Sequence, residues 1–289
     1  MRLVGFEAEG EACLGVVEGA DVIDLQAIDP GFPADLAEIL RQPALGLPSV
    51  AALAMRAREI HRRKLAGLDL GLPVRNPGKI LCLGLNYHDH AKEGGNKVAD
   101  YPAIFLRGAS SLVAHGKPIV RPRVSDKLDY EAEMVAVIGK RARHVKAAGA
   151  LAHVAGYSVF NDASVRDWQR HTTQWTLGKN FDATGGFGPA FVSADELPPG
   201  AAGLRIQSRL NGQVMQSDDT ANMVFPVDRT IEIVSQAMTL EPGDLLIMGT
   251  PAGVGYARTP PVFMKPGDTI EIEIERIGTL VNPIAAEAA

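Results

Sequence analysis

Asp129-Tyr-Glu-Ala-Glu-Met-Val-Ala-Val-Ile138 places two carboxylates, Glu131 and Glu133, two positions apart in an otherwise apolar run. In a strand, residues i and i+2 share a face, so both acids stand beside Val135 and Val137. The other face carries Tyr130, Ala132, Met134, Ala136 and Ile138. A strand apolar on both sides is expected to be buried on both sides. Two carboxylates there repel each other and lose their water, so either their pKa values rise or a cation sits between them. The chain supplies its own contrast in Thr269-Ile-Glu-Ile-Glu-Ile-Glu275. There Glu271, Glu273 and Glu275 make one wholly acidic face and isoleucines the other. That is the pattern of a half-exposed strand with a wet face, and it carries no site.

Asp162 closes the run Gly156-Tyr-Ser-Val-Phe-Asn161 and precedes Ala163-Ser-Val-Arg-Asp-Trp-Gln169, which reads as a helix. An aspartate at that point is a natural N-cap. It can instead be a third ligand, because strand ends are where loops gather functional groups. Three carboxylate oxygens with open positions suit Mg²⁺ or Mn²⁺. No His or Cys stands at a spacing that favours zinc.

Asn86-Tyr-His-Asp-His-Ala-Lys-Glu-Gly-Gly95 follows an apolar strand pattern. His90 and Glu93 are three apart and face the same way on a helical turn. A carboxylate beside an imidazole orients it and raises its basicity, the arrangement of a general base. A solvated surface pair has the same spacing. His88 is a rival to His90 without that spacing to Glu93. Gly94 and Gly95 would let the segment move as a lid. Lys179, in Trp175-Thr-Leu-Gly-Lys-Asn-Phe181, could stabilise an enolate or oxyanion, or could snorkel at the surface. Gly249-Thr-Pro-Ala-Gly-Val-Gly255 offers backbone N–H groups and the Thr250 hydroxyl to a carboxylate. It is neither a P-loop nor a dinucleotide fingerprint.

The elements that must hold these groups are mostly strands. Gly 30 and Pro 19 in 289 residues, with no helical heptads, point to a strand- and loop-rich α+β chain. Residues 1–25 alternate short apolar runs with turns. Residues 34–41 read as a short helix, and a second helix is predicted after Ser49, running to about Lys64 with Gly67 as its stop. Leu72-Pro-Val-Arg-Asn-Pro-Gly78 marks a boundary between a small N-terminal domain, 1–75, and a main domain, 76–289. Asn211-Gly212 between two strand patterns is a hairpin signal. Val227, Ile231, Val234 and Met238 make the apolar stripe of one clear helix. Pro242-Gly-Asp244 and Pro266-Gly-Asp268 each launch a strand.

Composition excludes several classes. A formal charge of -5 argues against nucleic-acid or anionic-membrane partners. The basic runs Arg56–Lys64 and Lys140–Lys146 read as solvated faces. Cys13 and Cys82 match no zinc or redox spacing and fit a reducing compartment. No signal-peptide pattern opens the sequence and no apolar stretch is long enough to span a bilayer, so the cytoplasm is the expected address.

Taken in order, Gly84-Leu-Asn-Tyr-His-Asp-His90, Asp129-Tyr-Glu-Ala-Glu133, Asn161-Asp-Ala-Ser-Val-Arg-Asp-Trp-Gln169, Trp175-Thr-Leu-Gly-Lys179, Asn211-Gly212 and Gly249-Thr-Pro-Ala-Gly253 resemble the fumarylacetoacetate hydrolase family. The resemblance covers about residues 77–284. It implies a mixed β-roll with a small N-terminal α/β domain, and a homodimer. It implies Glu131, Glu133 and Asp162 as ligands of one Mg²⁺ or Mn²⁺, His90 and Glu93 as a water-activating dyad on a lid, and Lys179 as the catalytic lysine. Gln169, Thr250 and Arg107 are implied as substrate contacts. The chain departs from the name-giving enzyme in lacking a fourth acidic ligand in Leu81-Cys-Leu-Gly-Leu85 and a tyrosine soon after Gln169. The shorter acylpyruvase, decarboxylase and muconate-isomerase branch fits better.

The chemistry so implied is hydrolysis of a carbon–carbon bond in a small 2,4-dioxo acid through a metal-held enolate. An oxaloacetate-type decarboxylase or a dienoate isomerase would use the same site. A binding protein that kept the fold would be expected to lose the dyad or the lysine first, and all three residues stand.

Overall fold

The computed structural model describes residues 1–93 and 100–288; Gly94 and Gly95, read above as lid glycines, lie outside the described residues. Among the described residues the strands are β1 Arg2–Ala8, β2 Glu11–Glu18, β3 Asp21–Asp24, β4 Arg62–Lys64, β5 Asp69–Gly71, β6 Ile80–Gly84, β7 Ala103–Leu106, β8 Leu112–Ala114, β9 Ile119–Arg121, β10 Leu128–Asp129, β11 Ala132–Ile138, β12 Val154–Asp162, β13 Ser164–Val165, β14 Gly185–Ser193, β15 Arg205–Leu210, β16 Gln213–Asp219, β17 Leu245–Ile247, β18 Thr269–Ile274 and β19 Gly278–Ala286. The α-helices are α1 Leu25–Ile28, α2 Leu36–Arg41, α3 Leu47–Ala54, α4 His88–Glu93, α5 Ala147–Ala150, α6 Arg166–Gln169, α7 Thr176–Lys179 and α8 Val227–Ala237.

The main sheet runs β4-β3-β2-β1-β14-β12-β11-β17-β6-β7, with β5 also pairing β1 and β8 also pairing β14. β11 lies near its middle, antiparallel to β12 and β17, and every one of its residues is buried. Its alternation divides two cores, as the sequence predicts. Ala132, Met134, Ala136 and Ile138 join the core under the second sheet, β16-β15-β18-β19-β9, and α8. Val135 and Val137 join the core under α1–α3. A strand of this composition needs covering on both faces, and one five-stranded sheet plus three short helices supply it. The chain is thus a strand-rich mixed β-roll.

The contrast strand behaves as its pattern requires. Ile270, Ile272 and Ile274 of β18 are buried, whereas Glu273 meets Arg205 at 2.6 Å and Arg209 at 2.8 Å on the open side. Asn211 and Gly212 turn the β15–β16 hairpin with φ of 52° and 79°. This is the left-handed geometry that the pair favours.

Two expectations are corrected. The helix predicted from Ser49 to Lys64 is the shorter α3, capped at Gly46 and ended at Met55, with Ser49 inside it. Beyond it the apolar stripe fails: Met55 is 82% exposed and Ile60 75%. Arg62–Lys64 instead form β4 against β3. There Arg62, Arg63 and Lys64 each find a carboxylate, Glu18 at 2.6 Å, Asp24 at 2.7 Å and Asp21 at 2.7 Å. Cross-strand charge pairing outweighs helix propensity. Second, the predicted helix after Asp162 shrinks to the four residues of α6, preceded by β13, so Asp162 is no N-cap.

Residues 1–75 share the main sheet, because Arg2 and Leu3 of β1 pair with Val192 and Phe191 of β14. They also share a core, in which Leu3, Leu25, Leu36 and Val50 meet Val135, Phe160 and Phe191. A chain cut to residues 76–289 would bare that face of the central sheet. It is therefore expected to aggregate or to unfold without a cooperative transition. A soluble fragment with one sharp urea transition would show that the main domain stands alone.

Candidate active site

Antiparallel pairing of β11 with β12 brings the three acids together. Glu133 lies opposite Phe160, and at the frayed start of β11 the Asp162 N–H donates to the Glu131 carbonyl at 3.0 Å. The Glu131 N–H is held in turn by the Asn161 side chain at 3.0 Å. The carboxylate oxygens of Glu131, Glu133 and Asp162 lie within 4.8 Å of one another, and all three residues are buried.

Cations crowd the same place. Lys179, at the end of α7, donates its ammonium to Glu131 Oε2 at 2.7 Å and Asp162 Oδ2 at 2.5 Å. Arg166, at the start of α6, lies 2.6 Å from Glu131 Oε1 and donates to Asp129 Oδ2 at 2.8 Å. Arg107 donates to Asp162 Oδ1. Four buried carboxylates, Asp129, Glu131, Glu133 and Asp162, thus face three cations in direct contact. The acid left over is Glu133, which among the described residues accepts only the Gly249 N–H, at 2.6 Å. Burial, with Asp162 and Glu131 adding to it, pushes the Glu133 carboxyl well above the usual carboxylate range. Burial would also raise Glu131, but Lys179 and Arg166 overcome it and hold that group at about 2. Burial lowers Lys179, yet Asp162 and Glu131 more than offset this and leave its ammonium raised. A cluster short of one positive charge, made of hard oxygen donors, fits a divalent cation such as Mg²⁺ or Mn²⁺.

His90 is buried on α4 with Nδ1 3.3 Å from Glu93 Oε2. Glu93 Oε1 also accepts the Gly253 N–H at 2.9 Å, so the helix bearing the imidazole is tied to the glycine loop. The rival His88 is exposed. Asn86 sets the approach of α4: its side chain donates to the Met248 and Phe225 carbonyls and accepts the Phe225 N–H. Gly178 lets α7 lie on α6, since a Cβ there would stand 2.3 Å from the Gln169 nitrogen. A cleft over the carboxylates is lined by His90, Lys179, Gln169, Thr250, Arg170 and Tyr256, among others. Thr250 Oγ1 accepts from Gln216 at 2.8 Å, and Gln169 Oε1 accepts from Arg166 at 2.9 Å.

Arg107 is placed otherwise than expected. It is buried behind Asp162, donating also to Ser111 and Thr184, and it does not line the cleft. Its guanidinium positions the Asp162 carboxylate from behind. The residues that sequence reasoning missed are Asp129, Arg166, Arg170 and Tyr256. Asp129 had a signal: it shares the i, i+2 face of Glu131 and Glu133. It is fully buried and accepts from Arg166, Gly255 N and Tyr256 N, which fastens the loop to the site.

A family model described as fumarylacetoacetate (FAA) hydrolase C-terminal matches residues 79–285. The chain belongs to the fumarylacetoacetate hydrolase family. Within it, the chain is similar to the mitochondrial oxaloacetate tautomerase FAHD2A of Bos taurus, 43% identical over 98% of this chain and 91% of the relative. Among solved structures it is similar to a fumarylacetoacetate hydrolase from psychrophilic Exiguobacterium antarcticum, with TM-score 0.85, 34% identity and cover of 99% and 100%. It is also similar to 2-hydroxyhepta-2,4-diene-1,7-dioate isomerase from Mycobacterium marinum, with TM-score 0.78, 31% identity and full cover of both chains. These fumarylacetoacetate hydrolase family members are enzymes by name, and their reactions differ while the fold is held.

Two outcomes test the electrostatics of this site. Glu133→Gln replaces the one acid that has no cation partner with a neutral group of the same shape, so the metal-free protein is expected to melt no lower than the parent. At about a hundredfold excess of Mg²⁺ or Mn²⁺ over Kd, the parent should gain about 2.7 kcal/mol and the variant nothing measurable. A variant stabilised by metal as strongly as the parent would remove Glu133 from the ligand set. Asp129→Ala breaks one of the two buried ion pairs of Arg166 and leaves the Gly255 and Tyr256 N–H groups without their acceptor, and urea titration is expected to show a loss of about 3–5 kcal/mol. A loss under about 1 kcal/mol would mean the pair is not structural.

Proposed function

We propose that this chain is a Mg²⁺- or Mn²⁺-dependent enzyme that moves protons on a small 2-oxo acid through its enol or enolate form, with oxaloacetate tautomerisation the first reaction to test. The observation that carries the reading is His90, held by Glu93, facing a buried carboxylate centre that is one positive charge short. The likeness to a protein named oxaloacetate tautomerase over nearly the whole chain supports the choice of reaction.

When bound by Glu131, Glu133 and Asp162, a divalent cation supplies Lewis acidity that favours an enolate over the ketone. The rest belongs to the chain. His90 is within the cleft with one ring nitrogen on Glu93, which leaves the other free to take or return a proton at C3 of the substrate. The Lys179 ammonium stays charged and faces the place where oxygen gathers negative charge. Thr250 and Gln169 offer polar contacts that orient the acid. Hydrolysis of a 2,4-dioxo acid is the second reading. The same dyad can take its proton from water instead of carbon, and a hydrolase by name shares the fold. Decarboxylation would use the same enolate.

The cytoplasmic address and the homodimer belong to this proposal. The bovine relative is mitochondrial by name. The buried, unbridged Cys13 and Cys82 suit a reducing compartment of either kind. Among the described residues, no helix is long and apolar enough to cross a membrane.

The test starts from metal-stripped protein given Mg²⁺ and enol-oxaloacetate, followed by ultraviolet absorbance, with acetylpyruvate followed by NMR in a parallel tube. Enol loss faster than the protein-free control at the same metal concentration is expected only with metal, and His90→Asn should lower kcat by about 10²- to 10⁴-fold with little change in KM. Acetate and pyruvate forming from acetylpyruvate only with metal would favour the hydrolase reading. Metal-independent turnover, or a His90→Asn variant as fast as the parent, contradicts the proposal.

A further inference from the structure

Among the described residues four basic side chains line the cleft, and three are already engaged. Lys179 directs its ammonium protons at Glu131, Asp162 Oδ2 and, at 3.4 Å, the Asp162 carbonyl. Arg166 serves Asp129, Glu131 and Gln169. His90 faces Glu93. Lys179 and Arg166 cannot take a further carboxylate without giving up a buried one, and the second ring nitrogen of His90 is assigned above to proton transfer. Arg170 differs. It is exposed at the end of α6, and it has no carboxylate partner among the described residues. Its guanidinium carbon lies 4.3 Å from the centroid of the Tyr256 ring, against which Arg166 also lies at 4.5 Å. An arginine alone on a surface is ordinary; this one is seated on an aromatic face at the rim of the cleft, which limits where its charge can go.

The neighbouring residue leaves a second donor free. A guanidinium can only donate, so Gln169 must present its Oε1 to Arg166, as it does at 2.9 Å. That fixes the amide and turns Nε2 away from Arg166, with no acceptor among the described residues. Two uncommitted donors, one charged and one neutral, therefore stand on consecutive residues beside the buried carboxylate centre.

We infer that Gln169 and Arg170, with Arg170 seated on Tyr256, form an anion subsite for the second carboxylate of a 2-oxo dicarboxylate. The inference rests on the reading that the 2-oxo acid end of the substrate binds at Glu131, Glu133 and Asp162. Arg170 then determines specificity: the planar guanidinium meets a carboxylate through two parallel N–H bonds, which a lysine cannot copy. A substrate with one carboxylate leaves the subsite to water.

The experiment is calorimetric titration of the Mn²⁺-loaded full chain with L-malate and L-lactate, two unreactive 2-hydroxy acids that differ by the second carboxylate. The parent is expected to bind malate about tenfold or more tighter than lactate. Arg170→Gln should bring the two within about twofold by weakening malate alone, and Arg170→Lys should keep part of the preference. Because Arg170 is exposed, both variants should fold, with melting points near that of the parent. The subsite is wrong if Arg170→Gln keeps the preference, or if the parent shows none, including binding neither acid. Oxaloacetate turnover is measured on the same samples. A preference that vanishes in Arg170→Gln, in a parent that does not turn over oxaloacetate, would uphold the subsite and discard the reaction proposed above.

Discussion

Four carboxylates are buried around one end of β11, where water cannot screen them. Even after relaxation, a buried ion costs several kcal/mol unless something answers its charge. Much of the surrounding architecture is that answer. α7 ends on Lys179, α6 begins on Arg166, and Arg107 follows β7 to reach Asp162 from behind. Gly249 turns an N–H toward Glu133 with φ of 87°, and the loop beyond it is pinned to Asp129. These elements are short, and several would have little reason to fold as they do without the charge they meet. The compensation stops one charge short, and that shortfall is the opening for a metal ion.

The same residues therefore serve stability and chemistry. Lys179 is a counter-ion for Glu131 and Asp162 and, in the proposed reaction, would also be the cation that faces a developing enolate. Glu93 orients His90 and also fastens α4 to the loop carrying Thr250. The hydrolase, isomerase and tautomerase names among the relatives fit a centre of this kind. On the proposal above, such a centre would stabilise charge on an oxygen common to all three reactions and leave the bond that changes to the periphery of the cleft.

What the sequence disclosed was periodic. The two-faced burial of β11, the wet face of β18, the Asn211-Gly212 turn and the Val227, Ile231 and Val234 stripe of α8 are properties of neighbouring residues, and local pattern is enough to read them; Met238, counted in that stripe from the sequence, lies past the helix end and is exposed. The acids were legible because Glu131 and Glu133 violate their surroundings. Asp162 could be read as a cap or a ligand, since nothing in the chain before or after it shows that Lys179 and Arg107 converge there. Arg107 was misplaced for the same reason: its partner is in β12, and a guanidinium facing a buried acid looks, in sequence, like one facing substrate. The basic run Arg56–Lys64 resembled a helix end because its three acidic partners lie on β2 and β3, far along the chain. Misreadings thus fell where long-range charge pairing overrules local preference.

The pairing of β6 bears on the order in which this site can be assembled. β6 is parallel to β17, and Lys79 next to it is held by Asp244, 165 positions later. β11 and β12, which bring the acids, are joined by a short stretch of chain. Closing the longer loop costs more entropy and is slower. During folding the acidic cluster can therefore form before residues 245–247 arrive, whereas the imidazole of His90, carried just beyond β6, waits for them. A nascent or partly unfolded molecule would then hold the three carboxylates without the imidazole beside them.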